Sequence, residues 1–286
     1  MYKRIFTALL FLLFVSLTAC VNLEPLPTDQ DTYQLIEERG YIVVGLECNY
    51  APFNWSVEQS QASEIAVKQT GSSSFCDGYD VQIATKIADE LGLKLYIKAI
   101  DWDGLIPSLA NNGSIDLIIA GMSPTAERAE TVAFSEAYYH STHVVLVRKD
   151  SAYANAGSIH DFENAVVVAQ LNTFYDELAL QLTNSVHSNP LGDVPTIVTG
   201  IKTGIYDATI LELPVAVAIT EANPELKYIV FSENNGFSVT YEDAAVSIAL
   251  RQSDITLLSK VNDILATISD ETKELWMLEA IGRQPL

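Results

Sequence analysis

Along this chain, apolar and polar positions follow two patterns, one typical of buried strands and one typical of amphipathic helices. Residues 41–46 and 115–119 are short, almost wholly apolar runs, as expected of strands in a parallel sheet covered on both faces. Between them, residues 79–91 carry apolar side chains at helical spacing, and residues 93–99 alternate like a strand. A short helix follows residues 101–104. This β-α-β-α-β order predicts an α/β fold in which helices cover a parallel sheet.

A second unit repeats this order. Residues 166–169 predict a strand and residues 175–182 a helix. Residues 204–211 then echo residues 113–120, because both begin with Gly-x-x-Asp and lead into an apolar strand. Ligands of open α/β sheets bind at the carboxyl ends of the strands. Two such sheets facing each other predict a ligand cleft between two lobes.

The C-terminal stretch predicts one more strand at 246–250 and helices near 254–268 and 270–281. Because these elements follow a complete second unit, we expect them to pack on the first lobe, so that the chain crosses between lobes twice. Residues 56–75 are rich in Ser, Gln and Gly, and we interpret them as a surface insertion.

The stretch from Ala120 to Arg128, directly after an apolar strand, predicts a socket for a small carboxylate. Gly121 allows a turn or a close approach to a ligand, and Ser123 and Pro124 are favoured as the cap and first residue of a helix. The free N–H groups of such a helix start attract anions. Arg128, one turn further on, carries a planar fork suited to a carboxylate. The alternative is a solvated helix start with a surface arginine.

The N-terminus predicts secretion and lipidation. Two basic residues precede a 13-residue apolar run at 5–17, which is typical of a signal peptide and too short to span a membrane. The following Leu-Thr-Ala-Cys sequence resembles the bacterial lipobox, which implies cleavage before Cys20 and acylation of that residue. The alternative is ordinary secretion with a chance cysteine. Residues 21–31 are polar and contain two prolines, so we interpret them as a flexible tether.

Composition excludes several classes of partner. The formal net charge of −21 at pH 7 argues against nucleic acid, because phosphates require a basic surface. Four His and three Cys are few for a metal cluster, and no glycine-rich nucleotide motif follows a strand. His140 and His143 form an HxxH pair, but in a strand such residues point to opposite faces. We therefore expect no nucleic acid, no metal and no cofactor.

Six short runs carry a family resemblance: residues 47–53, 78–81, 102–107, 121–128, 134–139 and 169–174. They resemble the extracellular solute-binding proteins, family 3, of polar amino-acid ABC transporters, and in particular the lipid-anchored versions from Gram-positive bacteria. The resemblance covers roughly residues 33–286. It implies a two-lobed α/β fold of the type II periplasmic-binding-protein class, in which two hinge strands let the lobes close on a ligand.

This resemblance implies a division of the chain and a location. The protein would lie on the extracellular face of the cytoplasmic membrane as a lipid-anchored monomer that delivers its ligand to the membrane subunits of an ABC permease. The expected parts are a signal peptide (1–19), a lipid-anchored tether (20–32), lobe 1 (33–140 plus 245–286), lobe 2 (144–240) and hinges near 140–143 and 241–245.

The resemblance also implies roles for individual residues at the two charged ends of an amino acid. Arg128 would bind the α-carboxylate with the residues of the 121–123 loop, and the backbone at Thr173 would add a donor from the other lobe. Glu212 would bind the α-ammonium. This chain departs from the family pattern at Glu212, where Asp is usual, and at Asn172, where Gly is usual.

The ligand side chain would be flanked by Tyr50 and Trp102, with Glu47 near its tip. Arg128 and Glu212 would already pair with the two charged ends of the zwitterion, so Glu47 is additional negative charge. A ligand with a basic tip (Arg, Lys, ornithine or His) fits it, with a cation–π contact to Trp102 or Tyr50. The alternative is a neutral tip with Glu47 neutralised by another group. The full expected ligand-binding set is Glu47, Tyr50, Trp102, Gly121, Met122, Ser123, Arg128, Asn172, Thr173 and Glu212.

Cys48 and Cys76 remain once Cys20 is lipidated. In an oxidising compartment we expect them to form a disulfide beside the cleft; the alternative is one buried free thiol and one exposed thiol.

We expect no enzyme activity, although three rival functions remain open. Some dehydratases acting on cyclic dienyl acids share this fold, and Glu47 or Glu212 could serve them as a general acid or base. A sensor reporting bound amino acid to a membrane partner would have the same sequence features. An adhesin with a vestigial cleft is the third.

Overall fold

The computed structural model describes residues 23–232 and 234–284, so the predicted signal peptide and Cys20 lie outside the described residues. None of the described helices is both long and apolar enough to cross a membrane. The strands are β1 Tyr41–Leu46, β2 Asn49–Tyr50, β3 Asn54–Val57, β4 Val67–Lys68, β5 Phe75–Asp77, β6 Lys94–Ala99, β7 Leu117–Ile118, β8 Val132–His140, β9 His143–Arg148, β10 Val166–Val167, β11 Val186–His187, β12 Ala208–Glu212, β13 Leu226–Ile229 and β14 Ala245–Arg251. The α-helices are α1 Tyr33–Arg39, α2 Tyr79–Glu90, α3 Trp102–Ala110, α4 Ala126–Ala129, α5 Phe174–Ala179, α6 Val194–Thr203, α7 Leu213–Ala222, α8 Ile255–Leu265 and α9 Asp270–Arg283, and a 3-10 helix covers Ile159–Asp161.

The strands form two five-stranded sheets and one small sheet. The first sheet has the order β6-β1-β7-β14-β8, with β1 parallel to both neighbours and β14 antiparallel to β7 and β8. The second sheet has the order β11-β10-β12-β9-β13, in which β9 alone runs against the other four strands. The predicted α/β class is confirmed. The antiparallel strands, β9 and β14, are those that the chain enters directly after crossing from one sheet to the other.

Two crossings join the sheets. The chain leaves the first sheet at the end of β8, enters the second sheet two residues later at β9, and returns after β13 to reach β14. The N–H of Ser141 donates a hydrogen bond to the carbonyl of Ala244 (2.9 Å), so the crossings lie side by side. The predicted hinges near 140–143 and 241–245 fall at these crossings, and the lobe boundaries drawn from them remain a prediction.

Strand β1, an inner strand of the first sheet, is packed on both faces, which explains its apolar sequence. Ile42, Val44 and Leu46 on one face of β1 are fully buried, and Val43 on the other face is almost so. Gly45 lies so close to the following elements that an added Cβ would be 2.5 Å from Cδ1 of Ile115. Any side chain at position 45 would therefore require the end of Ile115 to shift.

Residues 26–32 correct the expectation of a flexible tether, because they are docked on the first sheet. The N–H of Leu26 donates to the carbonyl of Gly113 (2.9 Å). The N–H and hydroxyl of Thr32 each donate to Oδ1 of Asp254 (2.9 Å), and both residues are fully buried. Asp254 is also paired with Arg251 (Nε–Oδ2 2.7 Å), so the segment completes a buried ionic cluster.

The region interpreted as a surface insertion is partly ordered into strands. The small sheet has the order β2-β3-β5-β4, and β3, β4 and β5 all draw residues from 56–75. A disulfide joins Cys48 to Cys76, with their Cα atoms 5.7 Å apart. The sheet is therefore fastened covalently to the turn that follows β1.

Candidate functional site

The two large sheets face each other across a cleft that contains most of the predicted ligand-binding residues. A small pocket of about 20 Å3 lies between them, with room for about one water, and a larger groove of about 690 Å3 adjoins it. Met122 and Asn172 line the groove only. The pocket is lined by the predicted residues Glu47, Tyr50, Trp102, Gly121, Ser123, Arg128, Thr173 and Glu212, together with Gln170, Phe174 and Tyr175.

The helix predicted to begin at Ser123 and Pro124 starts later, which corrects the proposed socket. The helix α4 covers only Ala126–Ala129, and its cap is Thr125, whose hydroxyl accepts the N–H of Arg128 (3.4 Å). A single turn has little aligned dipole, so an anion here would depend on the loop and the guanidinium.

Arg128 is held by the loop and by the opposite sheet. Its Nη1 donates to the carbonyl of Ser123 (2.8 Å), and its Nη2 donates to the carbonyl of Asn172 (2.9 Å). The guanidinium carbon lies 5.0 Å from the centre of the Trp102 ring, a cation–π contact. Burial lowers the pKa of the Arg128 guanidinium to about 10, so it stays charged at neutral pH.

Gly121 brings the socket loop against an aromatic floor. Its φ is +64°, in the left-handed region, and an added Cβ would be 3.2 Å from the Tyr50 ring. Tyr50 in turn stacks on Phe53, with ring centres 5.8 Å apart. The loop can therefore lie directly on the ring of Tyr50 because residue 121 has no side chain.

Glu212 lies at the carboxyl end of β12, opposite Tyr50. It is 3% exposed and accepts a hydrogen bond from the Tyr50 hydroxyl across the cleft. Burial raises the pKa of the Glu212 carboxyl above its ordinary value, while its hydrogen bonds act in the opposite direction. The pKa of the neighbouring Tyr175 hydroxyl is raised by burial and by the charge of Glu212.

The far end of the pocket is acidic. Glu47 follows β1, and Gln170 from the opposite sheet donates to its Oε1 (3.4 Å) and to the carbonyl of Gly192 (3.2 Å). Burial raises the pKa of Glu47 to about 8, and the charges of Asp193 and Asp101 add to the rise. A cation placed here would meet a carboxyl whose ionisation it would favour.

Asn172 closes the outer side of the cleft. Its carbonyl accepts from Nε1 of Trp102 (3.1 Å), and its Nδ2 donates to Oδ1 of Asp103 (2.8 Å). Its φ of +57° is left-handed, which asparagine tolerates better than most residues, so it can adopt a backbone conformation that would otherwise favour the glycine implied by the resemblance. Thr173 follows as the N-terminal cap of α5 and donates its hydroxyl to the Gln170 carbonyl (2.7 Å).

Sequence reasoning did not identify Gln170, Phe174 and Tyr175 as pocket residues. Gln170 comes directly after the apolar run 166–169, which begins with β10. Because ligands bind at the carboxyl ends of strands, this position could have been predicted from the sequence. Phe174 and Tyr175 read as part of an amphipathic helix, and nothing in that pattern shows which side faces the cleft.

His140 and His143 have different surroundings. The His140 ring lies 4.3 Å from that of Tyr241. His143 is buried near Phe174 and Tyr175, and burial lowers its pKa to about 4. Within residues 23–232 and 234–284, no group of three His, Cys, Asp or Glu side chains could hold a metal ion.

Comparison with known proteins places this geometry among amino-acid-binding proteins. The family model for the bacterial extracellular solute-binding proteins, family 3, matches residues 42–275. The arginine-binding extracellular protein of Bacillus subtilis is 27% identical over 231 residues, covering 80% of this chain and 81% of the relative. The L-cystine-binding protein of Escherichia coli K12 is 26% identical over 267 residues, covering 92% and 90%.

Solved structures are similar over most of their length. An amino-acid ABC transporter substrate-binding protein of Streptococcus pneumoniae bound to L-arginine superposes with a TM-score of 0.76 at 26% identity, covering 90% of this chain and 100% of that chain. An ancestral amino-acid-binding protein, described as a precursor of cyclohexadienyl dehydratase, gives a TM-score of 0.70 at 26% identity, covering 88% and 100%. The two-lobed type II fold expected from the sequence is confirmed.

Proposed function

This chain belongs to the bacterial extracellular solute-binding proteins, family 3, and we propose that it captures a polar L-amino acid with a basic side chain. The amino acid is delivered to the membrane subunits of an ABC importer from the extracellular face of the cytoplasmic membrane. Cys20 carries the lipid anchor, and the protein acts as a monomer. The relatives that bind arginine and histidine support this proposal, while the cystine-binding relative keeps the neutral alternative in view.

The observation that carries the proposal is the placement of opposite charges on opposite sides of one pocket. Arg128 follows a strand of the first sheet, and Glu212 ends a strand of the second sheet. An amino-acid zwitterion can pair with both only when the sheets are close, and each charge-assisted hydrogen bond contributes roughly 1.5–3 kcal/mol. This difference between open and closed forms is what allows a ligand to drive closure.

Entry of the ligand requires the cleft to open. A pocket of about 20 Å3 is too small to admit an amino acid. The carbonyl of Asn172 bridges the sheets by accepting from Trp102 and Arg128. We infer that these hydrogen bonds break on opening, and that the ligand carboxylate replaces the Asn172 carbonyl on Arg128 when the cleft closes again.

Basic specificity is supported by the acidic far end of the pocket. Glu47 lies beyond Arg128 and Glu212, the two groups proposed to pair with the zwitterion. Within the described residues, Arg128 is the only cationic side chain that lines the pocket. Calorimetric titration with the twenty amino acids and ornithine tests the proposal. Binding of Arg, Lys, ornithine or His is expected, and binding of Gln without Arg or Lys would overturn the basic specificity.

A dehydratase is a second candidate, favoured by one observation. Glu47 has a pKa raised to about 8, so it keeps a proton at neutral pH, as a general acid requires. The ancestral neighbour shows that a binding protein of this fold can precede such an enzyme. Incubation with a cyclohexadienyl acid distinguishes the two: unchanged substrate is expected here, and its loss with release of water would favour the enzyme.

A further inference from the structure

A buried carboxylate lies behind the ligand pocket and forms no ion pair among the described residues. Asp80, in the first turn of α2, is fully buried. Its Oδ1 accepts the hydroxyl of Tyr138 (2.6 Å), and its Oδ2 accepts Nδ2 of Asn54 (2.8 Å). Burial raises the pKa of Asp80 to about 7, because these neutral donors only partly replace water.

Each of these two partners also accepts a hydrogen bond from a backbone N–H beside the pocket. The Tyr138 hydroxyl accepts the N–H of Gly121 (3.2 Å), and Oδ1 of Asn54 accepts the N–H of Cys48 (2.7 Å). Gly121 and Cys48 both have left-handed backbone, with φ of +64° and +55°. Both backbone turns therefore depend on groups that Asp80 orients.

The two turns carry opposite ends of the ligand site. Gly121 opens the loop that holds Arg128 and lies against Tyr50. Cys48 directly follows Glu47, the acid expected at the side-chain tip of the ligand. One carboxylate is thus connected, through one side chain on each route, to the carboxylate end and to the side-chain end of the pocket.

An ionised carboxylate suits this arrangement because it can only accept hydrogen bonds, and with a pKa of about 7 Asp80 is mainly ionised above neutral pH. The Tyr138 hydroxyl must give its single proton to Asp80, which leaves an oxygen lone pair for the N–H of Gly121. Asn54 must turn its amide nitrogen to Asp80, which leaves its oxygen for the N–H of Cys48. We propose that Asp80 is a positioning residue that sets the geometry of both ends of the ligand site without touching the ligand.

Asparagine at position 80 would not reproduce this geometry. Its amide nitrogen would face either the Tyr138 hydroxyl or the Asn54 amide nitrogen, and one route would then bring two donors together. If Asn54 turned over to avoid this, its nitrogen would face the N–H of Cys48. The replacement therefore breaks at least one route while leaving the volume unchanged.

The test compares Tyr138→Phe and Asp80→Asn with Tyr79→Phe as a matched control. Tyr79 is as buried as Tyr138, and its hydroxyl donates to the Tyr138 carbonyl (2.9 Å), so its loss removes one buried hydrogen bond outside both routes. All three variants are expected to lower the thermal midpoint. Only Tyr138→Phe and Asp80→Asn should raise the Kd for L-arginine, by about tenfold, while Tyr79→Phe stays within about twofold.

Amide hydrogen exchange by NMR supplies a readout that needs no ligand. Faster exchange is expected at Gly121 in Tyr138→Phe and at Gly121 or Cys48 in Asp80→Asn, and at neither position in Tyr79→Phe. The affinity readout rests on the proposed function, so wild-type protein that does not bind L-arginine would count against that function alone. Unchanged exchange at both amides, or equal Kd values in Tyr138→Phe and Tyr79→Phe, would overturn the positioning role.

Discussion

The hydroxyl of Tyr50 donates a hydrogen bond to Oε2 of Glu212, joining the small sheet to the end of β12 across the cleft. Both side chains are almost fully buried. A buried carboxylate needs donors, and here the phenol supplies one in the position where a ligand ammonium is expected. The Tyr50 hydroxyl and the ligand ammonium would therefore either share the Glu212 carboxylate or compete for it.

Replacing Glu212 by Gln should weaken amino-acid binding by about 10- to 100-fold, because a charge-assisted hydrogen bond of roughly 1.5–3 kcal/mol is lost. Tyr50→Phe keeps the carboxylate and the ring, so its affinity should stay near that of the wild type, or increase if the phenol competes with the ligand. Calorimetry on both variants measures this. Wild-type affinity in Glu212→Gln would show that the ammonium binds elsewhere.

Arg128→Lys should lower affinity by about 100-fold although the charge is kept. Lysine is a point charge and cannot form the two parallel hydrogen bonds of the guanidinium fork, and its shorter head would lose the contact above Trp102. The same titration of Trp102→Phe keeps the fork, so it measures what the stacking and the Nε1 hydrogen bond to the Asn172 carbonyl contribute apart from it. If Arg128→Lys bound as tightly as the wild type, Arg128 would not be the carboxylate partner.

Much of the fold could be predicted because burial on both faces leaves a clear signal. The apolar run at 41–46 matches β1, and the helix expected at 79–91 is α2, Tyr79–Glu90. Local competition explains the misplaced helix start, since Thr125 caps α4 in place of Ser123. Residues 26–32 look like a linker by composition, and partners distant in the sequence, such as Gly113 and Asp254, hold them in place.

The charged residues of the site could be predicted, but their partners could not. Arg128 and Glu212 each follow a strand end and carry a charge, which is visible locally. Gln170 meets Glu47 only because the two sheets face each other, and Asp80 reads as an ordinary acid in the first turn of a helix. Long-range contacts of this kind leave no periodic pattern in one sequence.

Binding of a basic amino acid should release a proton from Glu47 between about pH 6 and pH 8. The pKa of Glu47 is raised to about 8 from 4.5, so the carboxyl is mostly protonated at pH 7 before binding. A ligand cation favours the carboxylate and lowers this pKa, so affinity for arginine should increase as pH rises toward 8, by up to about tenfold per unit.

Titration in buffers of different ionisation enthalpy measures that proton, and Glu47→Gln should release none. A neutral ligand would leave Glu47 protonated, so Gln binding without proton release would support the neutral alternative. The sign for folding is opposite: a raised carboxyl pKa makes the unliganded protein less stable as pH rises from about 4.5 through 8.

The disulfide between Cys48 and Cys76 should stabilise the protein and hold the turn beside Glu47. It closes a segment with a sequence separation of 28, for which the chain-entropy relation gives about 3–4 kcal/mol. Urea unfolding of the double variant Cys48→Ala and Cys76→Ala should show this loss, and reduced wild type should behave the same way. Alkylation of unreduced protein followed by mass spectrometry checks the bond, and two labelled thiols would contradict it.

Thr32 should be a large contributor to stability and a negligible one to binding. Its hydroxyl donates to Asp254 and accepts Nη2 of Arg251 (2.9 Å each), and all three residues are at most 2% exposed. Thr32→Val keeps the shape but leaves two buried charges short of a partner, so about 2–3 kcal/mol of unfolding free energy should be lost. Thr32→Ser keeps the hydroxyl and removes one methyl, a change of about 1 kcal/mol.

Urea unfolding distinguishes a docked segment from a flexible tether at this point. A chain beginning at residue 33 should lose at least as much stability as Thr32→Val, because it also removes the N–H that Asp254 accepts. Equal midpoints for Thr32→Val and Thr32→Ser would mean that the hydroxyl of Thr32 adds nothing to stability. The Kd for L-arginine should be the same in both variants, since no residue of the cluster lines the pocket or the groove. Stability can then be varied independently of ligand affinity.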